Sequence, residues 1–92
     1  DGYAGLARGD DGRIRTRLAD PSGGFALDVW QERGVMHAFT GDTLGAGARS
    51  AVALEPMECM ADAFNRPECA DKVRLEPGAE RGFRCGVELP LT

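Results

Sequence analysis

Long apolar runs are missing from this 92-residue sequence. None approaches the roughly 20 residues of a membrane-spanning helix, and there is no signal-like segment, so no membrane is expected among its partners. Basic charge is scarce too: 11 Lys and Arg stand against 15 Asp and Glu, a formal charge of -4. Nucleic acid and anionic lipid both want a basic face, and neither is expected here. The three cysteines, Cys59, Cys69 and Cys85, are an odd number without CxxC spacing. That argues against structural zinc and against a secreted disulfide framework, and predicts free thiols in a reducing, cytoplasmic setting. The spacing of Met36, His37, Met57, Cys59 and Met60 fits core filling, not a soft-metal site, so no metal is expected. A sustained 3.6-residue apolar period, internal repeats and low-complexity linkers are all absent, which leaves little room for helices.

What is present is short alternation broken by glycine and proline. Hydrophobic residues make up 42% and charged residues 28%, ordinary globular usage. A chain of this size buries somewhat above ~60% of its unfolded surface, so its core is small. It begins at Asp1 without an initiator methionine and reads as a cut or processed piece. Asp1 to Gly12 has little period. Ile14, Thr16 and Leu18 alternate with Arg13, Arg15 and Arg17, which predicts a half-buried strand with a solvated basic face. After the turn residues Asp20 to Gly24, Phe25 to Trp30 alternates again, predicting a hairpin partner. Gln31 to Gly34 reads as a connection, and Val35 to Phe39 as a third strand with Val35, His37 and Phe39 on one face. Thr43 to Ser50 reads as a mobile loop; its Gly45 and Gly47 lack the context of a phosphate-binding turn.

Ala51 to Leu54 predicts a buried strand that ends on Glu55, followed by Pro56. Proline fixes its own φ and pushes the residue before it towards extended geometry. A carboxylate mounted there is either a solvated strand end or a fixed acid or base. Glu58 reads as a surface charge. Asp62 is expected to cap a single helical turn ended by Asn65 and Pro67. Val73 and Leu75 predict a short strand, and Phe83, Cys85, Val87 and Leu89 a clear last one. Five or six strands make an all-β, incomplete sandwich whose open edges invite pairing with more chain.

Three groups in this order carry a resemblance: Ala38-Phe39-Thr40-Gly41-Asp42-Thr43-Leu44, then Leu54-Glu55-Pro56-Met57 with Asp62-Ala63-Phe64-Asn65, then Leu75-Glu76-Pro77-Gly78-Ala79-Glu80. From about Ile14 to Leu89 the chain resembles the C-terminal part of the aldose 1-epimerases, or galactose mutarotases. The resemblance implies an all-β supersandwich of which residues 1–92 are a partial domain, with the remainder of the parent chain as a partner. It implies an isomerase that interconverts the α and β anomers of free aldohexoses such as galactose and glucose, without a cofactor. In the family a glutamate takes the anomeric proton and a histidine protonates the ring oxygen. Glu55 falls on that glutamate. The family's catalytic histidines, and an arginine and aspartate that hold the sugar, lie in a part of the family chain that this sequence lacks. His37 falls where many members carry a glutamine that hydrogen-bonds the sugar. The residue reading of His37 is a hydrogen-bonded structural histidine between apolar neighbours. Met60 and Ala61 stand where a proline is common, a departure that affects the local loop. A non-catalytic carbohydrate-binding β-sandwich is the alternative, and a self-contained structural or interaction domain a third.

Overall fold

The structure, a computed structural model, describes residues 1–90, so the expected span of 1–92 runs two residues beyond it. Among the described residues six strands form two antiparallel three-stranded sheets that do not close into a barrel. One sheet has the order β2 (Ile14–Ala19), β3 (Ala26–Gln31), β6 (Cys85–Glu88). The other has the order β1 (Gly2–Tyr3), β4 (Val35–Phe39), β5 (Ala53–Met57). Among the described residues no helix is long and apolar enough to cross a membrane.

The hairpin β2–β3 forms where the alternation places it, in register from Ile14↔Gln31 to Ala19↔Ala26. Its inner face brings Ile14 and Val29 into a core completed by Val35, Met36 and Cys69. Gln31 is not in a connection: it ends β3 with 0% exposure. Its Nε2 donates to the carbonyls of Arg33 (2.8 Å) and Val35 (2.9 Å), which fastens the turn that leads from one sheet into the other. Gly34 sits in that turn at φ 96°, and a Cβ there would overlap the Met57 carbonyl oxygen. Both the positive φ and the close approach demand glycine.

The arginine face is not simply solvated. Register puts Arg17 opposite Asp28, and the guanidinium donates to both carboxylate oxygens, at 2.8 and 3.0 Å. Arg15 does the same with Asp11 (2.9 and 2.7 Å) and reaches Glu88 at 3.2 Å. Arg13 stacks 3.9 Å from the Trp30 ring centroid. The acids that meet these arginines come from β3, β6 and the preceding turn, which alternation within β2 could not reveal.

Three further expectations change. Gly2–Tyr3 forms a strand, because Asp1 exchanges hydrogen bonds with Ala38 in both directions. Val73 and Leu75 belong to no strand; Arg74 pairs with Glu76 in an exposed coil. In the Thr43–Ser50 loop Gly45–Gly47 forms a 3-10 turn, and Arg49 donates to Asp42.

The fold is open. Its accessible area of 6780 Å² exceeds the about 5200 Å² usual for a folded chain of this size. Its radius of gyration of 15.6 Å likewise exceeds the roughly 12 Å of a compact 92-residue domain. Tyr3, Phe25, Phe39, Leu44, Phe64, Val87 and Leu89 are all exposed.

Candidate functional site

Strand β5 begins at Ala53 and runs through Glu55 and Pro56 to Met57, so the carboxylate sits mid-strand and not at a buried strand's end. Ala53 and Glu55 are exposed. A proline inside a strand is tolerated at a sheet edge, and β5 is an edge. The hydrogen-bond pattern explains the fit. Ala38 directs its amide and carbonyl to Asp1, so alternation directs Met36 the same way and His37 towards β5. Pro56, opposite Met36, therefore points its nitrogen to the outer rim, where no ladder bond is lost.

The same register places Glu55 directly opposite His37. Their side chains share one face, with His37 Nε2 3.9 Å from Glu55 Oε2. That gap is too long for a hydrogen bond and makes an ion pair only when the imidazole is protonated. The side chains are 29% and 54% exposed, so both groups keep capacity for an outside ligand. Two atoms 3.9 Å apart can each lie about 2.8 Å from one common oxygen. A single hydroxyl group can therefore accept from His37 and donate to Glu55.

Met60 walls the site on the β1 side. Its Cε would lie 2.5 Å from a Cβ built on Gly2, a position 3.8 Å from His37 Nδ1. Glycine at position 2 leaves the room in which the thioether lies across β1 near the imidazole. Below Glu55, Glu58 is no idle surface charge. It accepts from Arg33 Nη2 at 2.8 Å, and Arg81 Nη1 lies 3.5 Å from its other oxygen. Arg33 also donates to the Gly82 carbonyl, tying the end of β5 to the coil that leads into β6. Sequence reasoning missed Arg33, Arg81 and Gly2 as supports of this region. Their partners are distant in the chain, and nothing local in the sequence signals them.

Asp62 heads the 3-10 turn Ala63–Asn65, but from the left-handed region at φ 62° and without a capping bond; its Oδ1 accepts from Asn65 Nδ2 at 2.7 Å. Phe64 on that turn is 88% exposed. It lines an open depression of about 690 Å³ with Arg66, Pro67, Val73, Arg74 and Leu75, apart from His37 and Glu55. Among the described residues no group of three His, Cys, Asp or Glu side chains converges as metal ligands would. Hydrogen bonds from Arg17 hold Asp28 below the usual carboxylate range, and Arg15 does the same for Asp11.

Compared with protein-family models, curated proteins and solved structures, the chain matches none.

Proposed function

We propose that the chain is the C-terminal part of an aldose 1-epimerase-like isomerase, built on the mutarotase supersandwich and acting in the cytoplasm on a free aldohexose such as galactose or glucose. The observation that carries this reading is the cross-strand pair itself. Two residues singled out separately, Glu55 as base and His37 as sugar contact, lie opposite each other with 3.9 Å between side-chain atoms. The open surface and unpaired edges suit a chain that packs against the remainder of its parent protein.

Anomerisation breaks a hemiacetal, which needs a base at one oxygen and an acid at the other. Ionised Glu55 takes the proton of the anomeric hydroxyl as that C–O bond becomes a carbonyl. The ring C–O bond breaks, and its electron pair leaves with the ring oxygen. An acid outside this chain, a histidine in the family, protonates that oxygen. The aldehyde turns about its bond to the next carbon, and the reverse steps close either anomer. His37 hydrogen-bonds a sugar hydroxyl and orients the ring over Glu55. No cofactor takes part.

A non-catalytic carbohydrate binder is the second reading. It is favoured by the single histidine of the sequence, which lies beside the base and not across a substrate from it. Polarimetry on the full-length protein separates the two. Glu55→Gln is expected to slow equilibration of pure α-glucose by about 10²- to 10⁴-fold. Equal rates for Glu55→Gln and the parent would overturn the base assignment. Saturable sugar binding without any acceleration by the parent would favour the binder. The 92 residues alone, a base without its acid, are expected to leave the buffer rate unchanged.

A further inference from the structure

Of the four edge strands among the described residues, three are ill suited to pairing with their own kind. β1 is two residues long, and β5 carries Pro56 on its rim. A second β2 laid beside β2 would set its arginine row against the same row. β6 differs. Around it the sequence reads Phe83-Arg84-Cys85-Gly86-Val87-Glu88-Leu89, with apolar residues and opposite charges placed symmetrically about Gly86.

The backbone of β6 fits the same symmetry. Glu32 N donates to the Arg84 carbonyl at 3.2 Å, and Arg84 N donates to the Glu32 carboxylate at 3.0 Å. Arg84 thus faces β3, and alternation turns Gly86 and Glu88 the same way. The amides and carbonyls of Cys85 and Val87 therefore point to the free edge. The side chains beside that rim are bare as well. Val87 lies opposite Val29, yet it is 64% exposed where Val29 is 8%. Leu89, just beyond, is 73% exposed. The packing that covers Val29 stops short of β6.

We propose that β6 is a self-association edge, pairing antiparallel with β6 of a second copy about a two-fold axis at Gly86. The two three-stranded sheets then join into one. In this register Cys85 meets Val87 of the second copy, and each such pair exchanges both ladder hydrogen bonds. Phe83 meets Leu89 of the second copy on the apolar face. Arg84 meets Glu88 of the second copy on the arginine face, and symmetry makes that ion pair twice. Both groups are ready for it. The Arg84 side chain is 83% exposed, and Arg13 and Arg15 both approach Glu88 through Oε1, leaving Oε2 for an incoming guanidinium. Gly86 keeps the axis clear, since a Cβ there would stand 2.6 Å from Trp30 Nε1. Sliding one copy by two residues separates both charge pairs. Sliding it by one sets rim amides against backbone already spent on β3. The register is therefore specified. This inference concerns the sheet away from Glu55 and stands whether or not Glu55 is a catalytic base.

The test follows the mass of the full-length protein by analytical ultracentrifugation over a concentration series. The unmodified protein is expected to reach a dimer. Arg84→Glu sets like charges against each other twice and should raise the dissociation constant about tenfold or more. Glu88→Arg should do the same. An equimolar mixture of the two variants restores opposite charges at both positions and should recover the dimer. A monomeric unmodified protein would overturn the proposal; that is the result if a strand from the rest of the parent chain occupies β6. So would a dimer indifferent to Arg84→Glu, or a mixture of folded variants that stays monomeric. Glu88→Arg also gives up the contact with Arg15, so circular dichroism checks the folding of each variant. Val87→Pro supplies an independent arm. The Val87 amide points away from β3, so proline there removes a rim donor without breaking a bond to β3. It should leave the protein monomeric, and a dimer of unaltered strength would overturn the proposal.

Discussion

Arg17 and Asp28 face each other across β2 and β3 as His37 and Glu55 face each other across β4 and β5. Both pairs are cross-strand neighbours of complementary chemistry, yet they finish differently. The first is closed: two hydrogen bonds, with Asp28 only 6% exposed. The bidentate fork uses the carboxylate's capacity inside the fold. The second is open: 3.9 Å apart, with more than half of the Glu55 side chain in solvent. Strand pairing alone thus does not decide whether opposed polar groups stabilise or serve. Side-chain reach decides it. Arginine spans the gap between strands and grips the carboxylate, whereas the shorter, rigid imidazole stops short and leaves room for a hydroxyl group.

Breaking the link between the sheets should have the largest effect. Gly34→Ala is expected to cost about 3 kcal/mol or more, from the strained φ and the overlap with the Met57 carbonyl. Chemical denaturation would read it, and a loss under 1 kcal/mol would mean that the turn relaxes freely. Next comes the closed pair. Arg17→Met strands a buried carboxylate, while Asp28→Asn frees an arginine that is already 58% exposed. The arginine change should therefore lower the melting temperature more, and the reverse order would contradict the closed description.

Acid should expose the same distinction. The Asp28 pKa is depressed by Arg17, so its contribution to stability is present above the unfolded value of about 3.9 and is lost as pH falls through the folded value. Arg17→Met should flatten the acid limb of a pH–stability curve, and an unchanged limb would place the effect elsewhere. The smallest stability change is expected at the open pair. His37→Gln or Glu55→Gln should shift stability by no more than about 0.5 kcal/mol, since the 3.9 Å gap leaves no hydrogen bond between them to lose. A drop of several kcal/mol in thermal or urea unfolding would show that the pair supports the fold instead of standing free.

Regions with local alternation were legible in the sequence. Val35–Phe39 has the bounds its pattern predicts, and Ile14 to Leu18 turns the expected side inward. What failed to show depends on distant chain. Gly2–Tyr3 is a strand only because Ala38 holds Asp1, and Gln31 is buried because its amide finds carbonyls across a turn. Val73 and Leu75 have strand composition but no ladder partner, so composition misleads there. At the candidate site, Glu55 and His37 could each be named, but their opposition follows from the β4–β5 register behind a long loop. Glu58 looked idle because Arg33 and Arg81, which grip it, lie far away in the sequence.

Pro56 has one more effect. A carboxylate offered on an edge strand exposes that strand's rim to any other extended chain, the geometry from which cross-β aggregates grow. The rim of β5 presents Leu54 and Pro56 outward, and Pro56 supplies no amide proton. An incoming strand would lose a rung at the fourth position of a five-residue template. The residue that stiffens the mount of Glu55 thus also acts as a gatekeeper, leaving the edge open to small molecules and unrewarding to strands.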